Sequence, residues 1–293
     1  MRCFLVSKNN ENYCSKWKKE SNFSAQHLLI SKRLIHDMIT LARIRPTDTV
    51  LDIGAGTGAL TYPLAEKAAH VLAIETDPAL IDRLFSKMQD RSNIRIKQSD
   101  FLKVSLPGSP FTVVANIPYS ITTPIMGRLL DQPAVPLQRA VLLVEKGAAQ
   151  RFTAIPVTDP RILSWRMQYD IRLVRTVSPH HFAPPPQVDS AILLIERREE
   201  PIVLTQHQPK FTSLAAYGLR DPRLPLFAAL SGVFTPPQIA KLARELRVSR
   251  EYPIGRLNEE QWGRVFHTML QHVPPYRWPQ WGKSPKGRSR TRR

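Results

Sequence analysis

At Asn116-Ile-Pro-Tyr119 a carboxamide, a rigid proline and an aromatic ring fall within four residues. An exocyclic amine on an aromatic base is a poor nucleophile, because its lone pair is delocalised into the ring. A site that accepts the amine's two protons and pyramidalises the nitrogen restores that reactivity. Asn116 Oδ1 and a backbone carbonyl held by Pro118 suit this task, and Tyr119 can stack on the base. A neutral amide is sufficient where no strong base has to act before transfer. By itself Asn-x-Pro-aromatic is also an ordinary turn, so its meaning depends on what precedes it.

Three cofactor-type features precede it, in order. Asp52-Ile-Gly-Ala-Gly-Thr-Gly-Ala59 follows a short apolar run and leads into a helix-like stretch. Its glycines at 54, 56 and 58 allow a tight turn with backbone close to a ligand. Glu75 closes the next apolar run 21 positions after Gly54, where a carboxylate can take both hydroxyls of a ribose. These two fit either an adenine dinucleotide or S-adenosylmethionine. Ser99-Asp100-Phe101, directly after the third run, favours the second, with the Asp100 carboxylate suited to an adenine amino group. Taken alone, Asp100 would more often be a helix cap.

Such residues need strand ends to hold them. Apolar runs at Thr49–Ile53, His70–Ile74, Ile94–Ile96, Phe111–Ala115 and Arg139–Val144 alternate with helix-like stretches near 59–68, 78–89, 122–131 and 146–154. That alternation predicts an α/β domain whose mainly parallel sheet is covered on both faces. A helix with Leu34, Ile35, Met38, Ile39, Leu41 and Ala42 mostly on one face leads into it. Two longer strand-like runs, Trp165–Val177 and Ala191–Arg197, flank the Pro-rich Ser178–Gln187 and predict a late antiparallel hairpin. Beyond about residue 200 the pattern is helical only. Trp262, Val265, Phe266, Met269, Leu270 and Val273 define an amphipathic helix with Asn258 as its N-cap.

The charge is as uneven as the pattern. The 293 residues carry 42 Lys and Arg against 24 Asp and Glu, a formal +18, which points to a polyanionic partner, nucleic acid first. Residues 1–22 hold +3, residues 23–200 hold +4 and residues 201–293 hold +11. Lys283–Arg293 has six cations in eleven residues and reads as a disordered arm able to lie along phosphates. No apolar run approaches the ~20 residues of a bilayer span, so the expected location is the cytoplasm, away from membranes. Cys3 and Cys14 form neither a disulfide framework nor a metal-ligand spacing, and no metal is expected.

Phe23-Ser-Ala-Gln-His-Leu-Leu29, the glycine turn, Glu75, Asp100, Asn116-Ile-Pro-Tyr119 and Phe182-Ala-Pro-Pro-Pro-Gln-Val-Asp-Ser190 together resemble the ribosomal RNA adenine N6-dimethyltransferases. The resemblance extends to the erythromycin-resistance branch through Ser120-Ile-Thr-Thr-Pro124, Glu145-Lys-Gly-Ala-Ala149, Phe234-Thr-Pro236 and the basic tail. That branch methylates an adenine of 23S rRNA and so blocks macrolides, lincosamides and streptogramin B. The resemblance implies a Rossmann-like class I methyltransferase domain at 23–200, behind a flexible basic leader at 1–22. A small helical RNA-binding domain at 201–282 and a disordered tail at 283–293 follow. It further implies S-adenosylmethionine as cofactor, with His27, Leu29, Gly54, Gly56, Glu75, Asp100 and Asn116 around it. Asn116 would bridge to the target amine, and Tyr119 and Phe182 would flank the target base. The partner implied is 23S rRNA, with no obligate protein partner. Many family members carry Gln-Asn-Phe where this chain has Gln26-His27-Leu28.

Two other readings are carried. The sister branch dimethylates two adjacent adenines of 16S rRNA with the same core motifs, but usually has an Arg-Lys-Thr-x-x-Asn-like stretch where Pro225–Phe234 here has no cation. A non-catalytic nucleic-acid-binding regulator would use Thr235–Val248 as a helix-turn-helix entry, and would have no need of Asn116 and Tyr119.

Overall fold

The computed structural model describes residues 27–88 and 91–280. Both cysteines, the leader at 1–22, Phe23–Gln26 and the tail at 283–293 lie outside the described residues.

A two-residue strand, β1 (Leu28–Leu29), precedes helix α1 (Lys32–Ala42). Ser31 caps α1 by accepting the Leu34 amide, and Leu34, Met38, Ile39 and Ala42 form its buried face. The sheet then grows from β2 (Thr49–Ile53), α2 (Thr61–Ala65), β3 (His70–Glu75), α3 (Pro78–Met88), β4 (Ile94–Gln98), β5 (Phe111–Asn116), α4 (Thr122–Leu130) and β6 (Leu137–Glu145). Helices α5 (Lys146–Thr153) and α6 (Pro160–Gln168) lead to β7 (Tyr169–Val177), β8 (Phe182–Ala183) and β9 (Ser190–Arg197). Seven strands make one sheet in the order β4-β3-β2-β5-β6-β9-β7. The first five are parallel, and β9 runs antiparallel between β6 and β7. The parallel sheet with its late antiparallel hairpin is the expected Rossmann-like architecture. β1 and β8 pair separately as a short antiparallel ribbon.

The chain winds from β2 to β3 on one side and later places β5 on the other. The crevice at the carboxyl ends of β2 and β5 is therefore a topological switch point, the usual ligand site of open α/β sheets.

One expected element is corrected. The run from Trp165 does not begin as strand, because residues 160–168 are α6 and the strand starts at Tyr169. Asp159 accepts the Arg161 amide at 2.8 Å and Pro160 occupies the first turn, an effective helix start. Ile162 to Gln168 are all buried, so the sequence lacks the one-sided periodicity that marks a surface helix. The buried Arg166 guanidinium is satisfied by the Phe152 and Ala154 carbonyls and by Glu259 at 3.1 Å.

Helices α7 (Gln208–Gly218), α8 (Leu226–Leu230), α9 (Pro236–Glu245) and α10 (Glu259–His272) follow the sheet. Asn258 caps α10 in a reciprocal arrangement with Gln261, as the sequence pattern predicts. These helices share an apolar cluster centred on Phe211, Phe234, Trp262 and Phe266. α6 contributes to both cores: Ile162 and Trp165 join the sheet cluster, and Leu163 and Met167 join the helical one.

Candidate active site

The glycine turn closes over the end of β2. Gly54 and Gly56 have φ of 71° and 55°, left-handed values that a side chain rarely adopts. A Cβ on Gly56 would meet Leu28 Cδ2 at 3.1 Å, and one on Gly54 would lie 3.6 Å from the Asn116 carbonyl. The turn is held from beneath by the next strand. Glu75, 3% exposed, accepts the Gly56 amide at 2.8 Å through Oε2. Its Oε1 accepts the Thr76 and Asp77 amides at 2.7 and 3.0 Å. A carboxylate has about four lone-pair positions, so Oε2 keeps one to offer a ligand hydroxyl.

Leu28, Leu29, Asp52, Gly54, Gly56, Thr57 and Asn116 are among the residues around one open pocket. Sequence reasoning named Leu29 but missed Leu28. Successive residues of a strand face opposite ways, and here Leu28 lies over the glycine turn while Leu29 sits mainly in the core at 6% exposure. Asp52 was also missed as a site residue. It is 1% exposed and accepts the Thr61 hydroxyl at 2.6 Å. Burial pushes its carboxyl up to about 7, the Thr61 hydrogen bonds oppose this, and the nearby Glu75 carboxylate adds to it. Its position at a strand end before three glycines was the signal. Asp100 caps the turn at Phe101–Lys103, its Oδ1 accepting the Leu102 amide at 2.9 Å.

At the end of β5, Asn116 Nδ2 donates to the His27 carbonyl at 2.8 Å, which leaves Oδ1 for a substrate amine. Tyr119 is half-buried, and its hydroxyl and that of Ser190 are 2.6 Å apart. Burial raises the Tyr119 phenol, the Ser190 hydrogen bond opposes the rise, and Glu145 adds to it, so the ring is neutral at physiological pH. His27 Nδ1 lies 2.8 Å from the Pro184 carbonyl, and its ring centroid is 6.0 Å from that of Tyr119. The imidazole is thus engaged with the Pro-rich segment.

Phe182 does not take the place expected for it. It is 3% exposed, pairs with Leu29 across the β1–β8 ribbon, and belongs to the core cluster of Leu34, Met38 and Val177. In this arrangement Tyr119 is the more exposed of the two aromatics.

The residues fit S-adenosylmethionine. Two left-handed glycines leave a cradle that a single Cβ would fill, and the Glu75 and Asp100 carboxylates stand at and just after the ends of β3 and β4. Fold and site together define an S-adenosylmethionine-dependent methyltransferase. The model of the ribosomal RNA adenine dimethylase family matches residues 17–271. The chain is 45% identical over 266 residues to an rRNA adenine N-6-methyltransferase of Bacillus licheniformis, covering 91% of this chain and 93% of that one. It is 33% identical over 260 residues to a ribosomal RNA small subunit methyltransferase A of Synechococcus, covering 85% and 92%. Among solved structures, the 23S rRNA methyltransferase ErmE matches with a TM-score of 0.75 and 26% identity, over 83% of this chain and all of that one. The chain belongs to the ribosomal RNA adenine dimethylase family and is an rRNA adenine N6-methyltransferase.

Proposed function

We propose that the chain methylates N6 of one adenine in 23S rRNA, once and then again after cofactor exchange, and thereby confers resistance to macrolides, lincosamides and streptogramin B. The observation that carries the choice of subunit is the likeness to the solved 23S rRNA methyltransferase ErmE, and the absence of any cation in Pro225–Phe234 supports the same reading.

In this reading Gly54, Gly56, Glu75 and Asp100 hold the cofactor, together with the leading strand around His27 and Leu29. When bound, S-adenosylmethionine supplies an electrophilic methyl on a sulfonium. Asn116 Oδ1 accepts a hydrogen bond from the adenine amine, localising the lone pair on N6, and the proton that N6 sheds after transfer passes to solvent. Tyr119 stacks on the flipped base, and fixing both partners at attack geometry supplies much of the acceleration. The methyltransferase domain spans 23–200 and the RNA-binding helices 201–282, between the basic leader and tail. No described helix is long and apolar enough to cross a membrane, and a cytoplasmic location follows from the rRNA target rather than from that absence.

Mass spectrometry of rRNA from a susceptible bacterium with and without the protein tests the proposal. The expected result is new dimethyladenine at a single 23S position, with joint tolerance to the three drug classes. Methylation of two adjacent 16S adenines would transfer the chain to the sister branch.

A further inference from the structure

The ribbon that joins the leading segment to the Pro-rich loop is too short to hold itself. It contains two residue pairs, Leu28↔Ala183 and Leu29↔Phe182, and is tied at one end by the Ile30 amide donating to the His181 carbonyl at 3.0 Å. The other end is tied by a side chain. A carbonyl oxygen only accepts, so the 2.8 Å contact between His27 Nδ1 and the Pro184 oxygen requires the hydrogen on Nδ1. The same residue's main-chain oxygen takes the Asn116 Nδ2 hydrogen at 2.8 Å. That contact decides which way the Asn116 amide faces. Without it the amide can turn over and present its NH2 to the substrate amine, donor against donor.

We infer that His27 is a positioning residue. Its δ nitrogen clips the leading strand to the Pro184 loop and so holds the carbonyl that orients the Asn116 amide toward its substrate. The inference rests on the reading that Asn116 Oδ1 acts on the target amine. Asparagine presents its Nδ2 donor at the same distance along the side chain as histidine presents Nδ1. The exchange of Asn for His therefore keeps the one group the clip uses. A role through Nε2, one bond further out, would be mimicked by glutamine.

The two amides separate these roles. His27→Asn supplies a donor at the δ position alone, and His27→Gln supplies one at the ε position alone. Each variant, in the full-length chain, is measured for turnover on rRNA, for cofactor affinity, and for hydrogen exchange at the amides of residues 28–30. The clip predicts that His27→Asn keeps the slow exchange of residues 28–30 and loses less turnover than His27→Gln. For His27→Gln it predicts faster exchange and a turnover lowered roughly five- to tenfold, the effect of losing one neutral hydrogen bond. Intact His27→Gln with a disabled His27→Asn would overturn the inference in favour of a contact through Nε2. Variants indistinguishable from the unaltered chain, or equally impaired without any change in exchange, would also overturn it. An exchange pattern that follows the clip while turnover stays unchanged would remove the positioning role. If the unaltered chain transfers no methyl to rRNA, the function reading has failed, and the exchange data still decide whether the clip exists.

Discussion

Asp52 is the residue with the least ordinary chemistry. It sits 1% exposed at the end of β2, where the Thr61 hydrogen bonds only partly offset its burial, and its carboxyl is raised to about 7. In the unfolded chain the same group titrates near ~4. Below that value it is neutral in both states. Between about pH 4 and 7 only the unfolded form gains charge, so this residue's contribution to stability is lost progressively as pH rises, by on the order of a few kcal/mol. Cofactor-free protein should therefore melt lower at pH 8 than at pH 5. Asp52→Asn should flatten that dependence, as thermal denaturation across the range would reveal; equal slopes would refute it. Tyr119 tests the base-holding role. Tyr119→Phe keeps the ring but leaves the buried Ser190 hydroxyl without its partner, at a cost of about 1 kcal/mol. Turnover should fall only a few-fold in that variant and far more in Tyr119→Ala, measured under saturating RNA. Equal loss in both would give the hydroxyl a chemical role.

Strand ends decide most of the site. The order of glycine turn, Glu75, Asp100 and Asn116 was legible in the sequence, because each sits where an apolar run stops and a parallel sheet exposes its carboxyl ends. What could not be read was how the long-range ribbon orients its residues. A two-residue strand has no periodicity, so nothing in Gln-His-Leu-Leu predicted that Leu28 would cover Gly56 while Leu29 faced the core. The burial of Phe182 was not legible for the same reason, since its partner across the ribbon lies more than a hundred residues away. The start of β7 was misread because α6 is buried on every side. The burial of Phe182 carries a prediction at this scale. Phe182→Ala should destabilise the fold by about 3–5 kcal/mol, as truncation of a buried aromatic does, visible as a lowered denaturation midpoint. Unchanged stability together with lost RNA turnover would mean that the ring leaves the core to meet the base.

Charge distribution belongs to the whole molecule. Residues 201–293 hold +11 of the +18, and six of those cations lie in 283–293 with no aromatic among them to read a base. The phosphate backbone dominates RNA affinity, with a log–log salt slope of about −0.7 to −0.9 per neutralised phosphate. Removing 283–293 should flatten that slope and raise the apparent RNA Michaelis constant, leaving the target adenine and the maximal rate largely intact. Binding titrations from low to moderate salt would decide this, and identical slopes would reduce the tail to a solubilising appendage. The account as a whole stands on one chemical event at one place. Purified protein supplied with isotopically labelled S-adenosylmethionine and protein-free 23S and 16S rRNA in the same tube would be followed by nuclease mapping and mass spectrometry. The account predicts label on N6 of a single 23S adenine, rising to two methyl groups. Label on paired 16S adenines, or on neither RNA, would contradict it.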